Sequence, residues 1–191
     1  IYYEVHRQDY GWEVDTKDED DLTKWKSDGA ESGTVGESKR LEAIKIKLPD
    51  GVSGSIEYRT HIQDIGWEKN WAKDGEISGT SGQAKRLEAI QVKLTGNVAK
   101  NYDVYYCVHA QNFGWLGWAK NGEKAGTAGY GYRLEAIKIQ LTGADKDKYN
   151  VYYRVHAQSY GWLAWAANGA PAGTAGLSKR LEAIQIVIVK K

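Results

Sequence analysis

The chain consists of one unit that is repeated four times. In each copy a Gly-Trp pair, a second Trp, an Asp-Gly or Asn-Gly pair and a Gly-Thr pair precede the run Arg-Leu-Glu-Ala-Ile. That run begins at Arg40, Arg86, Arg133 and Arg180, so the period is 46 or 47 residues. A unit of this size cannot bury its apolar face alone, and a regular period therefore predicts similar modules that pack on one another.

The repeats divide the 191 residues into four segments, 1–48, 49–95, 96–142 and 143–191. The first copy carries an acidic insertion over residues 15–21, which separates Trp12 from Trp25 by 13 positions instead of the 3 or 4 seen in the other copies. Its carboxylates could bind Ca²⁺, but the spacing of an EF-hand loop is missing. We therefore interpret the insertion as a solvated acidic loop.

Copy four shows the strand pattern most clearly. Residues 151–158 alternate strictly, which places Tyr153 and Val155 on one face and His156 and Gln158 on the other. Residues 180–188 have an isoleucine at every second position from Ile184 onward, and this predicts a closing strand. Short polar turns lead from each closing strand to the next opening strand, so we expect neighbouring copies to share hairpins.

These patterns predict an all-β protein. The residues between the two strands of each copy include Asn-Gly or Asp-Gly pairs, which favour tight turns. Helical periodicity never exceeds a turn or two. We expect four homologous repeats of roughly 47 residues in a compact closed or prism-like arrangement, and a linear array of β modules is the alternative.

Composition excludes several classes of partner. A net charge of +1 without a basic patch argues against nucleic acid, and the apolar runs are too short to span a membrane. The one cysteine, Cys107, aligns with Glu4, Arg59 and Arg154, so we expect a solvent-facing free thiol and no disulfide. The chain has no Met and no signal peptide. It is therefore interpreted as a mature or excised fragment, with other domains of a longer parent chain as further partners.

The string His-x-Gln-x-x-Gly-Trp, Trp, Asn/Asp-Gly, Gly-Thr-x-Gly, Arg-Leu-Glu-Ala-Ile resembles the ChW repeats, named for clostridial hydrophobic repeats with a characteristic Trp. The resemblance covers nearly the whole chain. It implies a secreted or surface-attached protein of a Gram-positive bacterium, in which such repeats serve as extracellular interaction modules beside catalytic or adhesive domains. Copy two departs from the pattern with Thr60 and Ile65, where other copies have Val and an aromatic residue.

Each copy offers one set of candidate ligand-binding residues: a histidine, a glutamine two positions later on the same strand face, and the first tryptophan. Imidazole and amide groups bind sugar hydroxyls, and an indole face covers the apolar side of a pyranose. The alternative is that Trp and His fill and brace the small core. The second Trp, just before the Asx-Gly turn, is expected to be more exposed. The candidates are His6, Gln8, Trp12, His61, Gln63, Trp67, His109, Gln111, Trp115, His156, Gln158 and Trp162.

Catalysis is not expected. Glycoside hydrolysis needs two carboxylates in different environments, whereas this chain repeats one glutamate, as at Glu182, beside the same arginine. We interpret each of these as a half-buried Arg–Glu pair that braces the loop. The chain also lacks a nucleophile elbow and a Cys-His dyad. Four histidines meeting on a fourfold axis could bind a metal, but no copy has a second His or Cys at ligand spacing, so neither a metal nor a cofactor is expected.

The sequence therefore predicts a non-catalytic extracellular binding module, either secreted or attached to the cell surface. Its expected partner is a glycan or another cell-surface macromolecule, recognised multivalently through one site in each copy. The alternative is a structural spacer or a self-assembling scaffold without a small ligand.

Overall fold

The computed structural model describes residues 1–14, 18, 21–34, 37 and 39–191, and it is nearly all β. Each copy contains two long antiparallel strands, an opening strand and a closing strand. Numbered along the chain, the opening strands are β1 (Tyr2–Arg7), β5 (Ser55–Ile62), β10 (Asp103–Ala110) and β15 (Tyr149–Ala157). The closing strands are β4 (Leu41–Lys47), β9 (Leu87–Thr95), β14 (Leu134–Thr142) and β19 (Leu181–Lys190).

Short strands of two residues lie between these long ones. The Gly-Trp pairs form β6 (Gly66–Trp67), β11 (Gly114–Trp115) and β16 (Gly161–Trp162), while Gly11 makes an isolated bridge with Arg7 in copy one. Next come β2 (Lys26–Ser27), β7 (Ala72–Lys73), β12 (Ala119–Lys120) and β17 (Ala166–Ala167). The Gly-Thr strands, which end on the glycine of that pair, are β3 (Ser32–Gly33), β8 (Ser78–Gly79), β13 (Ala125–Gly126) and β18 (Ala172–Gly173). The connections hold helix α1 (Val98–Asn101) and a 3₁₀ turn (Lys146–Lys148).

The Gly-Thr strands join the four copies into a ring. Each one pairs with the closing strand of the preceding copy: β8 with β4, β13 with β9, and β18 with β14. The strand β3 of copy one pairs with β19 of copy four, which closes the circle. The chain thus forms four blades of a β-propeller ring. The predicted all-β fold and closed arrangement are confirmed, and a linear array is excluded.

The predicted hairpins between copies are wrong. A short connection joins β4 to β5, yet β4 pairs with β1 of its own copy and with β8. The reason is that β5 already has β9 on one edge and β6 and β7 on the other. A strand has only two edges for hydrogen bonding, so none is left for the preceding closing strand.

One tyrosine of each opening strand links two blades. Tyr58 Oη donates to the backbone carbonyl of its own turn and accepts a hydrogen bond from Ile46 N of copy one at 2.7 Å. Tyr3 Oη accepts one from Ile186 N of copy four at 2.9 Å, across the closure of the ring. Burial raises the pKa of Tyr3 and Tyr106 to about 12, because a phenolate there would lose its hydration.

The apolar core lies between neighbouring blades. Tyr3 of copy one clusters with Tyr153 and Val155 of copy four, and similar clusters join the other blades. Three residues at every second position of β14, Ile137, Ile139 and Leu141, pack against these clusters but are only half-buried. Each copy therefore depends on its neighbours for burial, as is typical of repeat proteins.

Cys107 is a free thiol, as predicted, but the prediction that it faces solvent is wrong. It is 2% exposed, and its Sγ donates to Leu116 O at 2.9 Å. The aligned Glu4 is 0% exposed. Both faces of the opening strand are covered here, one by the neighbouring blade and the other by tryptophans of the same copy.

The acidic insertion predicted over residues 15–21 lies mostly outside the described residues. Within the part of the chain that the structure describes, no helix has the length and apolar character needed to cross a membrane.

Candidate functional site

Each copy holds a histidine, a glutamate and an arginine in contact. In copy four, His156 Nδ1 lies 3.3 Å from Glu182 Oε2, and Arg180 Nη2 lies 3.2 Å from Glu182 Oε1. The corresponding contacts are 3.0–3.4 Å in the other copies, and in copy one Arg40 contacts its glutamate through Nε. The predicted Arg–Glu pairs are therefore confirmed. The four glutamates are 1% exposed, whereas the arginine side chains are 26–28% exposed, so each carboxylate lies behind its guanidinium.

The candidate histidines are buried. They are 1–6% exposed, and each ring meets the first tryptophan of its copy edge to face, with centroids 5.4–5.7 Å apart. Burial lowers the pKa of His6, although nearby Glu42 opposes the shift. This geometry suits a role in holding Trp and Glu in position, because the imidazoles lie beneath the surface and not in an open groove.

A cation covers the tryptophans in each copy. Lys45 Nζ lies 4.3 Å from the ring centroid of Trp12, and Lys138 Nζ lies 4.0 Å from that of Trp115. These lysines come from closing strands. In copies two and four an arginine of the opening strand contacts the tryptophans; Arg154, for example, lies 5.0 Å from Trp162. Copy two has a second cation, Lys93 of the closing strand, whose Nζ lies 4.3 Å from the Trp71 centroid. Such contacts stabilise by about 0.5–2 kcal/mol and occupy one face of each indole.

The second tryptophans reach across to the next copy. A Cβ built on Gly169 would lie 3.3 Å from Trp118 Cη2, and the other three second tryptophans meet the equivalent Asx-Gly turns in the same way. Their exposure varies: Trp118 and Trp165 are 43% and 44% exposed, but Trp25 is 7% exposed. The predicted exposure of the second Trp is therefore confirmed in copies three and four and is wrong in copy one.

Each glutamine lies just beyond the end of the opening strand that carries its histidine. The pairing between opening and closing strands shifts register immediately after the histidine in all four copies. The extra residue belongs to the closing strand: His6 pairs with Ala43 and Arg7 with Leu41, so Glu42 is left without a pairing partner in the ladder. Each opening strand ends one residue before its glutamine, so the expectation that His and Gln share a strand face is wrong. The glutamine lies in the turn that follows, where Gln111 N donates to Arg133 O at 3.0 Å.

Two of the glutamines, Gln8 and Gln111, line a pocket on the axis of the ring. The closing strands approach one another around this axis, and their first residues surround a cavity of about 280 Å³. We call it the axial pocket. It is lined by Arg40, Leu41, Arg86, Leu87, Arg133, Leu134, Arg180, Leu181, Gln8, Gln111 and Gly131. One Arg-Leu pair from every copy thus faces the same space, a convergence that strand patterns alone did not reveal.

An exposed apolar residue accompanies the pocket in every copy. Directly before the Gly-Trp pair, Tyr10, Ile65, Phe113 and Tyr160 are 50–56% exposed. We call these the apolar turn residues. The turns follow the opening strands, which run antiparallel to the closing strands, so they lie at the same end of the ring as the axial pocket. The signal in the sequence was an apolar residue at a turn position in all four copies.

The comparisons with known proteins identify the repeats. The family model Clostridial hydrophobic W, or ChW, matches residues 6–50, 61–96, 109–143 and 156–190. The chain belongs to the ChW family. Comparison with curated proteins and with solved structures found no match. Each ChW match starts at the histidine and covers the Trp, Gly-Thr and Arg-Leu-Glu-Ala-Ile segments.

The ChW repeat thus brings together only part of the predicted site. His and first Trp are in contact in each copy, but Gln8 and Gln111 face the axial pocket instead. Among the described residues, no group of three or more His, Cys, Asp or Glu side chains is arranged to hold a metal ion. Arginines and leucines line the axis at the pocket, not histidines.

Proposed function

We propose that the chain is a non-catalytic binding module that recognises cell-surface or environmental glycans through several weak contacts at once. The observation that carries this proposal is the ring of exposed apolar turn residues, three of which are the aromatic Tyr10, Phe113 and Tyr160. An exposed aromatic ring offers an apolar platform with little entropy to lose on binding, and sugars present apolar C–H faces to such platforms.

Multivalency follows from the repeated turn. Four contacts at one end of a closed ring can engage one polymer or one cell surface together. Linked weak sites gain on the order of 10²–10⁴ in avidity, so each contact can be weak. The proposal includes an extracellular location, secreted or attached to the cell surface, in keeping with the expectation from the family resemblance.

A non-catalytic role is supported by the equivalence of the carboxylates. Glu42, Glu88, Glu135 and Glu182 are all 1% exposed and all contact one His and one Arg. Glycoside hydrolysis needs one carboxylate to act as acid and another as base or nucleophile, in different environments. Four identical environments do not supply that difference.

Retention on glycan surfaces tests the proposal. A glycan array probed with the 191-residue chain identifies a polysaccharide, which is then immobilised. Replacing Tyr10, Phe113 and Tyr160 by Ser, singly and together, should reduce retention progressively while circular dichroism stays unchanged. Val52→Ser is the matched control, because Val52 is 39% exposed but lies beyond the opposite end of closing strand β4. Unchanged retention in the folded triple variant would reject this surface.

The buried histidines favour a second candidate, a structural scaffold that associates through the same end of the ring. In that case the array shows no specific glycan and the chain self-associates. Sedimentation of the wild-type chain and the triple variant separates the two, because only a scaffold would change its oligomeric state when the apolar turn residues are replaced.

A further inference from the structure

The axial pocket gathers four positive charges. One arginine of each copy lines it, and no acidic residue is among the described residues that do so. The glutamates contact these guanidiniums from behind, at 1% exposure against 26–28% for the arginine side chains. An anion that enters from solvent therefore meets the guanidiniums first. Walls of low dielectric strengthen the attraction inside such a cleft.

Two of these arginines, Arg86 and Arg133, also keep hydrogen-bond donors that the described residues do not use. Arg86 Nη2 donates to Glu88 Oε1 at 3.0 Å and to Gly131 O. Arg133 Nη2 donates to Ser178 O at 2.6 Å and also contacts its own glutamate. These contacts all run through Nη2, and within the described part of the chain Nη1 of these two arginines has no partner. A guanidinium has five N–H groups in a planar fork, so Nη1 remains available to an oxyanion.

The size and lining of the axial pocket limit the ligand. About 280 Å³ is just below the usual range for sites of drug-sized ligands, so a long oligosaccharide does not fit inside. The four leucines add apolar wall, and the amides of Gln8 and Gln111 add neutral hydrogen-bonding groups. This combination suits a single charged group on a small organic body.

We propose that the axial pocket binds one small oxyanion, a carboxylate or a phosphate group, per chain. The stoichiometry follows from the geometry, because the four arginines share one cavity on the axis. The site is distinct from the apolar turn residues and does not require that they bind glycans. The two proposals can fail separately: the chain can bind a free oxyanion and no polysaccharide, or a polysaccharide and no oxyanion.

Isothermal titration calorimetry on the 191-residue chain tests this proposal with three ligands: inorganic phosphate, glucuronate and glucose. We expect saturable binding of at least one anion with a stoichiometry of one, no binding of glucose, and weaker anion binding as salt is raised. Binding of phosphate alone identifies a phosphate source, and binding of glucuronate alone identifies a sugar carboxylate. Either result, or both together, supports the proposal.

A charge-neutral double variant separates the pocket from overall charge. Arg86→Gln with Glu88→Gln removes one guanidinium and its buried partner, so the net charge is unchanged. We expect about tenfold weaker anion binding, because charge-assisted hydrogen bonds are lost. Lys100→Gln is the control: it removes one positive charge at an exposed position beyond the far end of β9, and binding should stay within about twofold. Arg86→Lys, which keeps the charge but loses the fork, gives the answer if the double variant does not fold.

Four results would overturn the proposal. They are no saturable binding of either anion by the folded wild-type chain, a stoichiometry near four, equal binding of glucose, or wild-type affinity in a folded Arg86 variant. Retention of a neutral polysaccharide is measured on the same preparations. Its persistence after loss of the anion site would leave the glycan proposal standing.

Discussion

Gly126→Ala should lower the free energy of unfolding, because the added methyl group forces two neighbouring blades apart. Gly126 ends the Gly-Thr strand β13, which pairs with β9 of the preceding copy. A Cβ at this position would overlap Ala89 Cα and Cβ and Glu88 O, and Ala89 is 0% exposed. The obstructing atoms belong to the backbone and to a fully buried residue, so a side-chain rotation cannot relieve the overlap. The two strands must move apart.

The magnitude has two parts. Overpacking in a close-packed region costs about 1–3 kcal/mol, and an alanine held at a φ of +133° costs about 1–3 kcal/mol more. The sum is a loss of about 2–6 kcal/mol in the free energy of unfolding. For a chain of this length each kcal/mol lowers Tm by about 2–4 °C, so Gly126→Ala should lower Tm by about 4–24 °C.

Gly129→Ala is the matched control. Gly129 also has a positive φ, +82°, but a Cβ there would meet no atom within 4 Å. Only backbone strain remains, and we expect a loss of about 1 kcal/mol. Urea and thermal unfolding of both variants, followed by circular dichroism, measure the difference. Equal losses in the two variants would refute the argument that close approach between blades requires the glycine.

Three further predictions concern buried polar groups. Tyr58→Phe should lower the free energy of unfolding by about 1–3 kcal/mol, because the backbone amide and carbonyl that the hydroxyl bridges both lose a partner. Urea unfolding measures this loss, and an unchanged stability would mean that water replaces the hydroxyl. The free energy of unfolding should stay level up to about pH 10 and fall toward pH 12. Tyr3 and Tyr106 have a pKa of about 12 in the folded chain but about 10 in the unfolded chain, so alkali ionises the unfolded chain first. A free energy that does not change over this range, in urea titrations at a series of pH values, would contradict this. Cys107 is buried and its thiol pKa is raised by burial, so a colorimetric thiol reagent should react slowly with the native chain and rapidly in urea, and rapid native reaction would show the site to be open.

The repeat register made the fold predictable. Matching glycines, tryptophans and Arg-Leu-Glu-Ala-Ile runs define the copies, and residue alternation locates the long strands. The Arg–Glu pair was also predictable, since Arg180 and Glu182 lie two positions apart at the start of the closing strand. The pairing of β3 with β19 was not, because strands of two residues carry no periodic signal and the partner lies some 150 residues away.

The faces of the strands were harder to predict. Cys107 was assigned to solvent because charged residues occupy the aligned positions. The structure shows that these charged side chains lie under tryptophans. Their partners on the closing strand differ between copies in a compensating way: Lys45 pairs with Glu4, whereas Gln91 pairs with Arg59. Comparing such pairs between copies would have revealed a buried position that needs one cation.

The end of each opening strand was the other feature that the sequence did not reveal. The strand β10 ends at Ala110, so Gln111 lies in a turn beside the axial pocket, while His109 lies beneath Trp115. The alternation of residues runs on through Gln111 and therefore does not mark this end. The axial pocket was not predictable either, because Arg-Leu pairs from four copies meet only after the ring closes.

Hydrogen exchange at one backbone amide tests most directly whether the ring closes between copies one and four. Thr34 N donates to Glu182 O at 3.3 Å, and Thr80, Thr127 and Thr174 make the equivalent bond to the preceding copy at 3.0–3.2 Å. All four threonines are 4–7% exposed. Since opening any of these bonds requires two blades to separate, the Thr34 amide should be protected to within about tenfold of the other three in native-state exchange followed by NMR. Fast exchange at Thr34 alone, with slow exchange at the other three threonines, would mean that the array is open and would contradict the closed ring.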